Sequence, residues 1–276
     1  MKSFKNKVVV ITGAGSGMGR AYALAFAKEG ANLALNSYSL NNLEETKEIV
    51  NSKYNVKIYT SDFDVSNNAK MKAFAKNVKK NLGNAHVIIN NAGIEGNSKP
   101  VFELSVENID RIMQVNFYGV VNGTLAFLPQ LIDNNEGAIV NVSSIFGLVG
   151  VPNFADYCAS KFAVRGFTES LMVELLKSPI TVHLVHPGGI NTNITHNSEN
   201  QKFDSKYLST PPEAIASVLI KAIKRKQSKI VYGNGALKTW LGANFVPQDI
   251  LNGILWHEFK KVIDLKSYKK RFYEII

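Results

Sequence analysis

The chain has 276 residues and a hydrophobic fraction of 45%, enough for a full core in one large domain or two small ones. Its single cysteine, Cys158, excludes an internal disulfide and is typical of a reducing compartment, so we expect a cytoplasmic protein. No apolar run approaches the roughly 18 residues that span a bilayer. The net charge of +10 comes without a recognised nucleic-acid-binding module, so nucleic acid is not an expected partner.

Short β-branched runs alternate with longer amphipathic stretches along the chain. The predicted strands cover residues 7–12, 32–37, 57–63, 86–90, 138–142, 181–186 and 230–232. The predicted helices cover residues 17–29, 40–52, 66–81, 105–133, 155–177 and 211–226. Apolar strands such as residues 8–11 predict burial on both faces, as in a parallel sheet. The alternation predicts one doubly wound α/β domain over residues 1–233 and an extension over residues 234–276.

A glycine-rich turn follows the first predicted strand and opens the first predicted helix. Its glycines are spaced Gly13-x-x-x-Gly17-x-Gly19, because the sixth position of a Gly-x-Gly-x-x-Gly pattern would be Met18. Backbone N–H groups in such a turn, together with the helix N-terminus, can bind a pyrophosphate. The turn is therefore a predicted dinucleotide site, with these binding residues: Thr12, Gly13, Gly15, Ser16, Gly17, Met18 and Gly19.

The residues at the ends of the next two strands are expected to contact the nucleoside part of such a ligand. An acidic residue after the second strand would bind the ribose hydroxyls and favour NAD, but Ser37 stands there between Asn36 and Tyr38. NADP is therefore favoured, although no Arg or Lys lies beside Ser37 in the sequence, and NAD stays open. After the third strand, Asp64 and Val65 are placed to meet the adenine edge. Asp64 equally suits a cap at a helix start.

Tyr157 and Lys161 are spaced i, i+4, which places a phenol and an ammonium on one face of a helix. A phenol with a pKa near 10 is a poor acid or base at neutral pH. A lysine held close to it favours the phenolate and moves the phenol toward acid/base work. Ser144 lies thirteen residues upstream of the tyrosine.

These motifs are accompanied by Asn90-Asn91-Ala92-Gly93, Asn116, Pro187-Gly188 and Thr192. In the set of motifs and in their order along the sequence, the chain resembles the short-chain dehydrogenase/reductase family over about residues 5–233. The resemblance implies a single Rossmann-like domain, a seven-stranded parallel sheet flanked by helices, that assembles as a homodimer or homotetramer. It also implies NAD(P)-dependent interconversion of a secondary alcohol and a ketone on a small molecule. The three-residue gap between Tyr157 and Lys161 favours this chemistry over enoyl reduction.

The resemblance assigns a catalytic role to each of four residues. Tyr157 would give a proton to the carbonyl oxygen or take one from the hydroxyl, and Ser144 would stabilise that oxygen. Lys161 would lower the pKa of Tyr157 and bind the nicotinamide ribose. Asn116 would hold a water that links Lys161 to bulk solvent.

Further cofactor contacts follow from the same resemblance. Asn91, Ala92 and Gly93 would line the adenosine side of the site. The nicotinamide end would be contacted by Tyr157, Lys161, Pro187, Gly188, Ile190 and Thr192. No metal is expected, because the five histidines lack the spacing of a metal site.

The substrate pocket is predicted to be mainly apolar. Its expected wall, beside Ser144 and Tyr157, is Ile145, Phe146, Val151 and Phe154, with His196 as the one histidine suspected of touching substrate. A lid is expected over about residues 189–207. Such a wall favours a hydrophobic carbonyl compound but does not separate ketoacyl, steroid, retinoid and small diketone substrates.

The C-terminal segment is basic and amphipathic. Residues 221–276 hold twelve Lys and Arg against four Asp and Glu, and apolar residues recur at helical spacing after residue 250. This stripe could pack against the domain or a second subunit, or rest on an anionic membrane. Two rival functions are a non-catalytic dinucleotide-binding regulatory protein and a peripheral membrane protein acting through this tail. The set of Asn116, Ser144, Tyr157 and Lys161 favours the enzyme.

Overall fold

A seven-stranded sheet, parallel throughout, forms the centre of the computed structural model, which describes residues 1–192, 205–263 and 265–271. The strands are β1 (Val8–Ile11), β2 (Asn32–Ser37), β3 (Ile58–Asp62), β4 (Val87–Asn90), β5 (Gly137–Val142), β6 (Ile180–Pro187) and β7 (Lys229–Tyr232). Their order across the sheet is β3-β2-β1-β4-β5-β6-β7. The order reverses between β1 and β4, which is the place where open α/β sheets bind ligands.

Ten helices lie among the described residues. They are α1 (Gly17–Lys28), α2 (Leu40–Asn51), α3 (Asn68–Leu82), α4 (Val106–Met113), α5 (Gly119–Asp133), α6 (Ala155–Glu174), α7 (Pro212–Arg225), α8 (Ala236–Phe245), α9 (Gln248–Phe259) and α10 (Lys266–Arg271). A π-helical segment, Gln114–Tyr118, joins α4 to α5, and a 3-10 turn, Ile145–Gly147, follows β5. None of the helices in the described part is long and apolar enough to cross a membrane.

Alternate residues of the central strands enter two separate cores, one on each face of the sheet. Val9 and Ile11 of β1 pack with α1 and α7, whereas Val8 and Val10 pack with α3 and α5. All four are at most 2% exposed. Burying each such side chain contributes about 1.5–3 kcal/mol, which explains why continuous apolar runs become central strands.

The predicted fold class is confirmed, and the seven strands lie where the sequence places them to within one residue at each end. Two helical predictions differ from the structure. The predicted helix over 105–133 is interrupted by the π-helical segment. The helical pattern after residue 250 ends at Phe259 and resumes at Lys266, while α8 was not predicted at all. The division into domains at residue 233 stays a prediction.

Candidate functional site

The glycine-rich turn is attached to the end of β4 by Thr12. The Thr12 hydroxyl oxygen accepts the backbone N–H groups of Asn91 and Ala92, both at 3.0 Å. The Asn91 side-chain amide donates back to the Thr12 carbonyl at 3.0 Å. The turn and the Asn91–Gly93 segment, both predicted to bind the cofactor, are therefore held together at the reversal point of the sheet.

The turn has no room for side chains at two of its glycines. Gly13 has a φ of 65°, and a Cβ there would lie 2.8 Å from the Ala92 Cα. A Cβ at Gly19 would collide with the Gly13 carbonyl. Among the described residues the Ser16 hydroxyl makes no capping bond to α1, so this helix start keeps N–H groups for an anion.

At the adenosine end, the turn approaches β2 closely. A Cβ on Gly15 would lie 2.6 Å from the Ser37 hydroxyl oxygen. The Arg20 guanidinium donates a hydrogen bond to the Gly15 carbonyl at 2.6 Å. It also forms a bidentate ion pair with the Glu45 carboxylate, at 2.9 and 2.7 Å. The sequence prediction missed this cation because Arg20 comes from α1 and not from the segment beside Ser37.

Asp64 forms the polar turn that precedes α3. Its carboxylate accepts the Ser66 N–H at 2.9 Å and the Ser66 hydroxyl at 2.7 Å, and it pairs with Arg111 at 2.7 Å. Partial burial raises the pKa of Asp64, but the bonds from Ser66 and Arg111 outweigh it and lower the pKa. Asp64 thus acts as a turn residue, while Val65 is buried beside Gly119. Their contact with adenine stays a prediction.

The first turns of α6 bring Tyr157 and Lys161 to Ser144. Ser144 and Tyr157 border the same cavity, and the Ser144 hydroxyl acts on the phenol in the direction that lowers the pKa of Tyr157. Lys161 is 3% exposed, and its ammonium lies 5.5 Å from the centroid of the Tyr157 ring and 3.3 Å from the Val142 carbonyl oxygen. The phenol, hydroxyl and ammonium therefore converge as the sequence predicts.

The electrostatics of this group differ from the expectation. Burial raises the pKa of Tyr157 to about 12, while the hydrogen bond with Ser144 acts in the opposite direction. Burial also lowers the pKa of Lys161 to about 8. Desolvation disfavours both charged forms and therefore outweighs any lowering of the tyrosine pKa by Lys161.

Asn116 lies within the π-helical segment, a distortion that is frequent at functional sites. Its side-chain oxygen accepts the Ile94 N–H at 2.8 Å, and its amide donates to the Ile94 carbonyl at 3.0 Å and to the Ser160 hydroxyl at 3.1 Å. A Cβ on Gly93 would lie 3.2 Å from the Asn116 oxygen and 3.4 Å from the Lys161 ammonium. Asn116 and Lys161 therefore both approach Gly93; the water relay stays a prediction.

The segment after β6 returns to the phosphate turn. Pro187, Gly188, Ile190 and Thr192 all border the same cavity as Tyr157 and Lys161. A Cβ on Gly17 would lie 3.1 Å from the Thr192 side chain. The residues predicted for the two ends of the cofactor are thus brought together around one site.

Two buried polar residues that the sequence prediction missed fix the backbone of the catalytic residues. Asp156 accepts the Tyr157 N–H at 2.7 Å and, with its other oxygen, the backbone and side-chain N–H groups of Asn97 at 2.9 and 2.8 Å. His186 lies 2.8 Å from the Ser144 carbonyl through Nδ1. Burial lowers the pKa of His186 to about 4, so the ring is neutral and Nδ1–H donates. The only sequence signals for these two residues were that Asp156 is adjacent to Tyr157 and that His186 is adjacent to Pro187.

A cavity of about 750 Å³ extends from the phosphate turn past Ser144 and Tyr157. Its border includes all four predicted wall residues, Ile145, Phe146, Val151 and Phe154. His196 and most of the predicted lid, residues 193–204, lie outside the described residues. Cys158 is buried in the adjoining cluster, and burial raises its thiol pKa to about 11, in keeping with a space-filling role.

Helices α8 and α9 supply a second apolar wall that was not predicted. Leu237, Leu241 and Phe245 of α8 border the cavity. Leu251 and Phe259 of α9 are buried against a cluster that contains Phe146, Val151 and Phe154. Leu251 and Phe259, the buried part of the apolar stripe after residue 250, therefore pack against the domain. The repeat at 237, 241 and 245 was the signal that could have revealed the wall.

Comparisons with known proteins agree with this geometry. A family model described as short chain dehydrogenase matches residues 7–202. The protein named SadH from Mycobacterium tuberculosis is 40% identical over 245 residues, 84% of this chain and 88% of the relative. Levodione reductase from Leifsonia aquatica is 34% identical over 199 residues, 72% and 74% of the two chains. Retinol dehydrogenase 10 from Xenopus tropicalis is 36% identical over 220 residues, 70% and 64%.

Two solved structures have the same architecture. A short chain dehydrogenase/reductase from Burkholderia phymatum in complex with NAD aligns with a TM-score of 0.78 and 28% identity, covering 83% of this chain and 90% of that one. An alcohol dehydrogenase from Thermococcus sibiricus complexed with 5-hydroxy-NADP aligns with a TM-score of 0.71 and 27% identity, covering 81% and 93%. Both neighbours hold a nicotinamide dinucleotide.

Proposed function

The chain belongs to the short-chain dehydrogenase/reductase family, a nucleotide-binding oxidoreductase family, and we propose from this premise that it interconverts a hydrophobic secondary alcohol and a ketone with NAD(P). The observation that carries the proposal is the convergence of Ser144, Tyr157 and Lys161 on one apolar cavity. A protein that only binds a dinucleotide would not need this group, which disfavours the regulatory alternative.

The residues suit both steps of such a reaction at the substrate oxygen. Tyr157 would donate its phenolic proton to the carbonyl oxygen during reduction, while the Ser144 hydroxyl would stabilise the developing negative charge. The buried Lys161 ammonium would favour the phenolate that results. Bound NAD(P) would supply or accept the hydride.

The turn from Thr12 to Gly19 fits a dinucleotide because it combines a helix start with glycines that cannot carry a Cβ. We favour NADP over NAD, since Ser37 places no carboxylate against a 2′-phosphate and Arg20 is tied to the adjacent Gly15. Because Glu45 already pairs with Arg20, we propose a preference for NADP over NAD and not exclusive use of NADP.

A hydrophobic substrate with a sizeable apolar body is the best match to the cavity. Aromatic and aliphatic residues border it from two sides, and the acids on its border are Glu95 and Glu258 among the described residues. Related proteins are named levodione reductase and retinol dehydrogenase, which supports alcohol/carbonyl chemistry on such compounds, with a ketone in the first case.

Assembly and compartment are proposed on separate grounds. Exposed apolar residues on the long helices, Leu125 and Ile132 of α5 and Phe162 of α6, support a homodimer or homotetramer. The single cysteine supports a reducing, cytoplasmic compartment.

Turnover by Tyr157→Phe tests the proposed function. NADPH and NADH oxidation would be followed with ketones, diketones, ketoacyl thioesters and steroid and retinoid carbonyls. We expect Tyr157→Phe to lower kcat/KM by about 100-fold or more, because a positioned general acid contributes that much. Its cofactor affinity should be unchanged. Tyr59→Phe, on β3 away from the cavity, is the matched control and should behave as the parent protein. Equal turnover of Tyr157→Phe and the parent would refute the assigned role.

A further inference from the structure

The α8–α9 pair carries two rows of exposed apolar side chains. Leu237, Leu241 and Phe245 follow each other at i, i+4 spacing on α8, and Ile250 and Ile254 do so on α9. All five are between 44% and 73% exposed. Contiguous apolar surface of this kind marks an interaction site more often than single exposed residues do.

The two helices form an antiparallel hairpin with a defined orientation. Lys238 and Glu258 pair at 3.4 Å where α8 begins and α9 ends, and Val246 and Pro247 form the turn at the other end. Leu251, 7% exposed, attaches the inner side of α9 to the domain. The buried side of α9 therefore holds the hairpin, with its exposed rows, in place on the domain.

The exposed rows surround the mouth of the cavity. Leu237, Leu241, Phe245 and Ile254 border the cavity and are at the same time 44% or more exposed. The apolar surface is therefore continuous from the outside of the hairpin to the wall beside Tyr157. A polar ligand entering from water would gain nothing from such an entrance, whereas a lipid-like ligand would.

The charge around the hairpin favours an anionic surface. Residues 234–271 hold seven Lys and Arg against three Asp and Glu. The lysines of α10 are held beside α9 by the contact of Tyr268 with Trp256, whose ring centroids are 5.4 Å apart. Trp240 of α8, beside Phe245, is of the residue type enriched at membrane interfaces. Two acids lie beside the exposed rows in the described part of the chain: Asp249 at the hairpin turn, and Glu258, which pairs with Lys238.

Not all of the basic C-terminal segment belongs to this surface. Five of its twelve cations lie between Lys221 and Lys229, at the end of α7 and the start of β7. Because the strands are parallel, these cations lie at the amino-terminal ends of the strands, whereas the phosphate turn lies at the carboxyl-terminal ends. The relevant charge is therefore the local one around α8, α9 and α10.

We propose that the α8–α9 hairpin docks on an anionic lipid bilayer, with Leu237, Leu241, Phe245, Ile250 and Ile254 at the boundary between headgroups and acyl chains. Docked in this way, the cavity mouth opens onto the membrane, and a lipophilic alcohol or ketone reaches Tyr157 without crossing water. The docking itself does not depend on turnover; only this delivery of substrate rests on the proposed function.

Vesicle co-sedimentation tests the docking surface. The parent protein would be mixed with vesicles of phosphatidylcholine alone or with phosphatidylserine added. We expect binding to the anionic vesicles that weakens with salt, and a loss of about tenfold or more in the variant Phe245→Ser/Ile250→Ser. The matched control Val173→Ser/Leu176→Ser alters equally exposed residues at the end of α6 and should bind as the parent does. Tyr157→Phe should also bind normally, which separates docking from catalysis.

Three results would overturn the proposal. The first is a parent protein that does not sediment with anionic vesicles, and the second is an equal loss of binding in both double variants. The third is a hairpin variant whose mass by light scattering is that of a smaller assembly than the parent and the control form. That outcome would assign the hairpin to contacts between copies of the chain.

Discussion

Ser144 and Tyr157 depend on neighbours that do not themselves face the substrate. His186 donates to the Ser144 carbonyl, and Asp156 accepts the Tyr157 N–H. The sequence predicted the catalytic side chains, because their types and spacing specify a chemistry. It could not predict these supports, because the His186–Ser144 bond, 42 positions apart, exists only once β5 and β6 are paired, and Asp156 is bound by Asn97, 59 positions away.

The His186 support can be tested with two substitutions. His186→Phe removes the donor, and we expect kcat for ketone reduction to fall about 5- to 10-fold, the value of one hydrogen bond of roughly 1 kcal/mol. His186→Asn keeps an N–H near the position of Nδ1 and should recover most of the loss. Cofactor affinity should be unchanged in both. Equal losses in the two variants would mean that His186 acts through packing alone.

The pH profile of reduction tests the charge of Lys161. Its folded pKa of about 8 means that the ammonium is lost as the pH rises through 8. Tyr157, with a pKa of about 12, stays protonated over the same range. We therefore expect kcat/KM for ketone reduction to decline above about pH 8, measured at saturating cofactor. A profile that stays flat to pH 10 would contradict this assignment.

At the scale of elements, the strands were predictable because apolar runs become buried strands wherever helices cover both faces. The hairpin of α8 and α9 was not predictable, because the apolar repeat at 237, 241 and 245 identifies a cavity wall only once the position of the cavity is known. The π-helical segment was also missed, because a helical pattern from 105 to 133 contains no sequence sign of one extra residue per turn at Asn116.

Neighbouring residues on α9 test whether the helix is part of the folded core. Leu251→Ala removes a buried side chain and should lower the free energy of unfolding by about 2–4 kcal/mol. Ile250→Ala, at an exposed position, should change it by less than about 0.5 kcal/mol. Urea denaturation followed by circular dichroism gives both values. Indistinguishable variants would mean that α9 does not contribute to the cooperative core.

On the scale of the whole molecule, two buried histidines link stability to pH. His183 and His186 are at most 1% exposed, and burial lowers the pKa of each to about 4 from the ordinary 6.5. The unfolded chain therefore binds more protons than the folded one between pH 6.5 and 4. The contribution of these two histidines to the free energy of unfolding is fully present above pH 6.5 and is lost as the pH falls through this window.

The expected loss between pH 7 and pH 5 is roughly 4 kcal/mol for the two histidines together. Urea midpoints across this range would measure it. His186→Asn should remove about half of the pH dependence, and His257→Gln, at an exposed position, should leave it unchanged. A midpoint that does not move between pH 7 and pH 5 would show that the buried rings do not control acid stability.

The most direct test of the whole account is the transfer of deuterium to a hydrophobic ketone from NADPH that carries deuterium at both C4 positions of the nicotinamide. We expect mass spectrometry to detect one deuterium on the carbinol carbon of the product alcohol, formed by the parent protein and by Tyr59→Phe but reduced at least 100-fold in Tyr157→Phe. An alcohol that forms without the label, or label transfer that is equal in Tyr157→Phe, would contradict hydride transfer assisted by Tyr157.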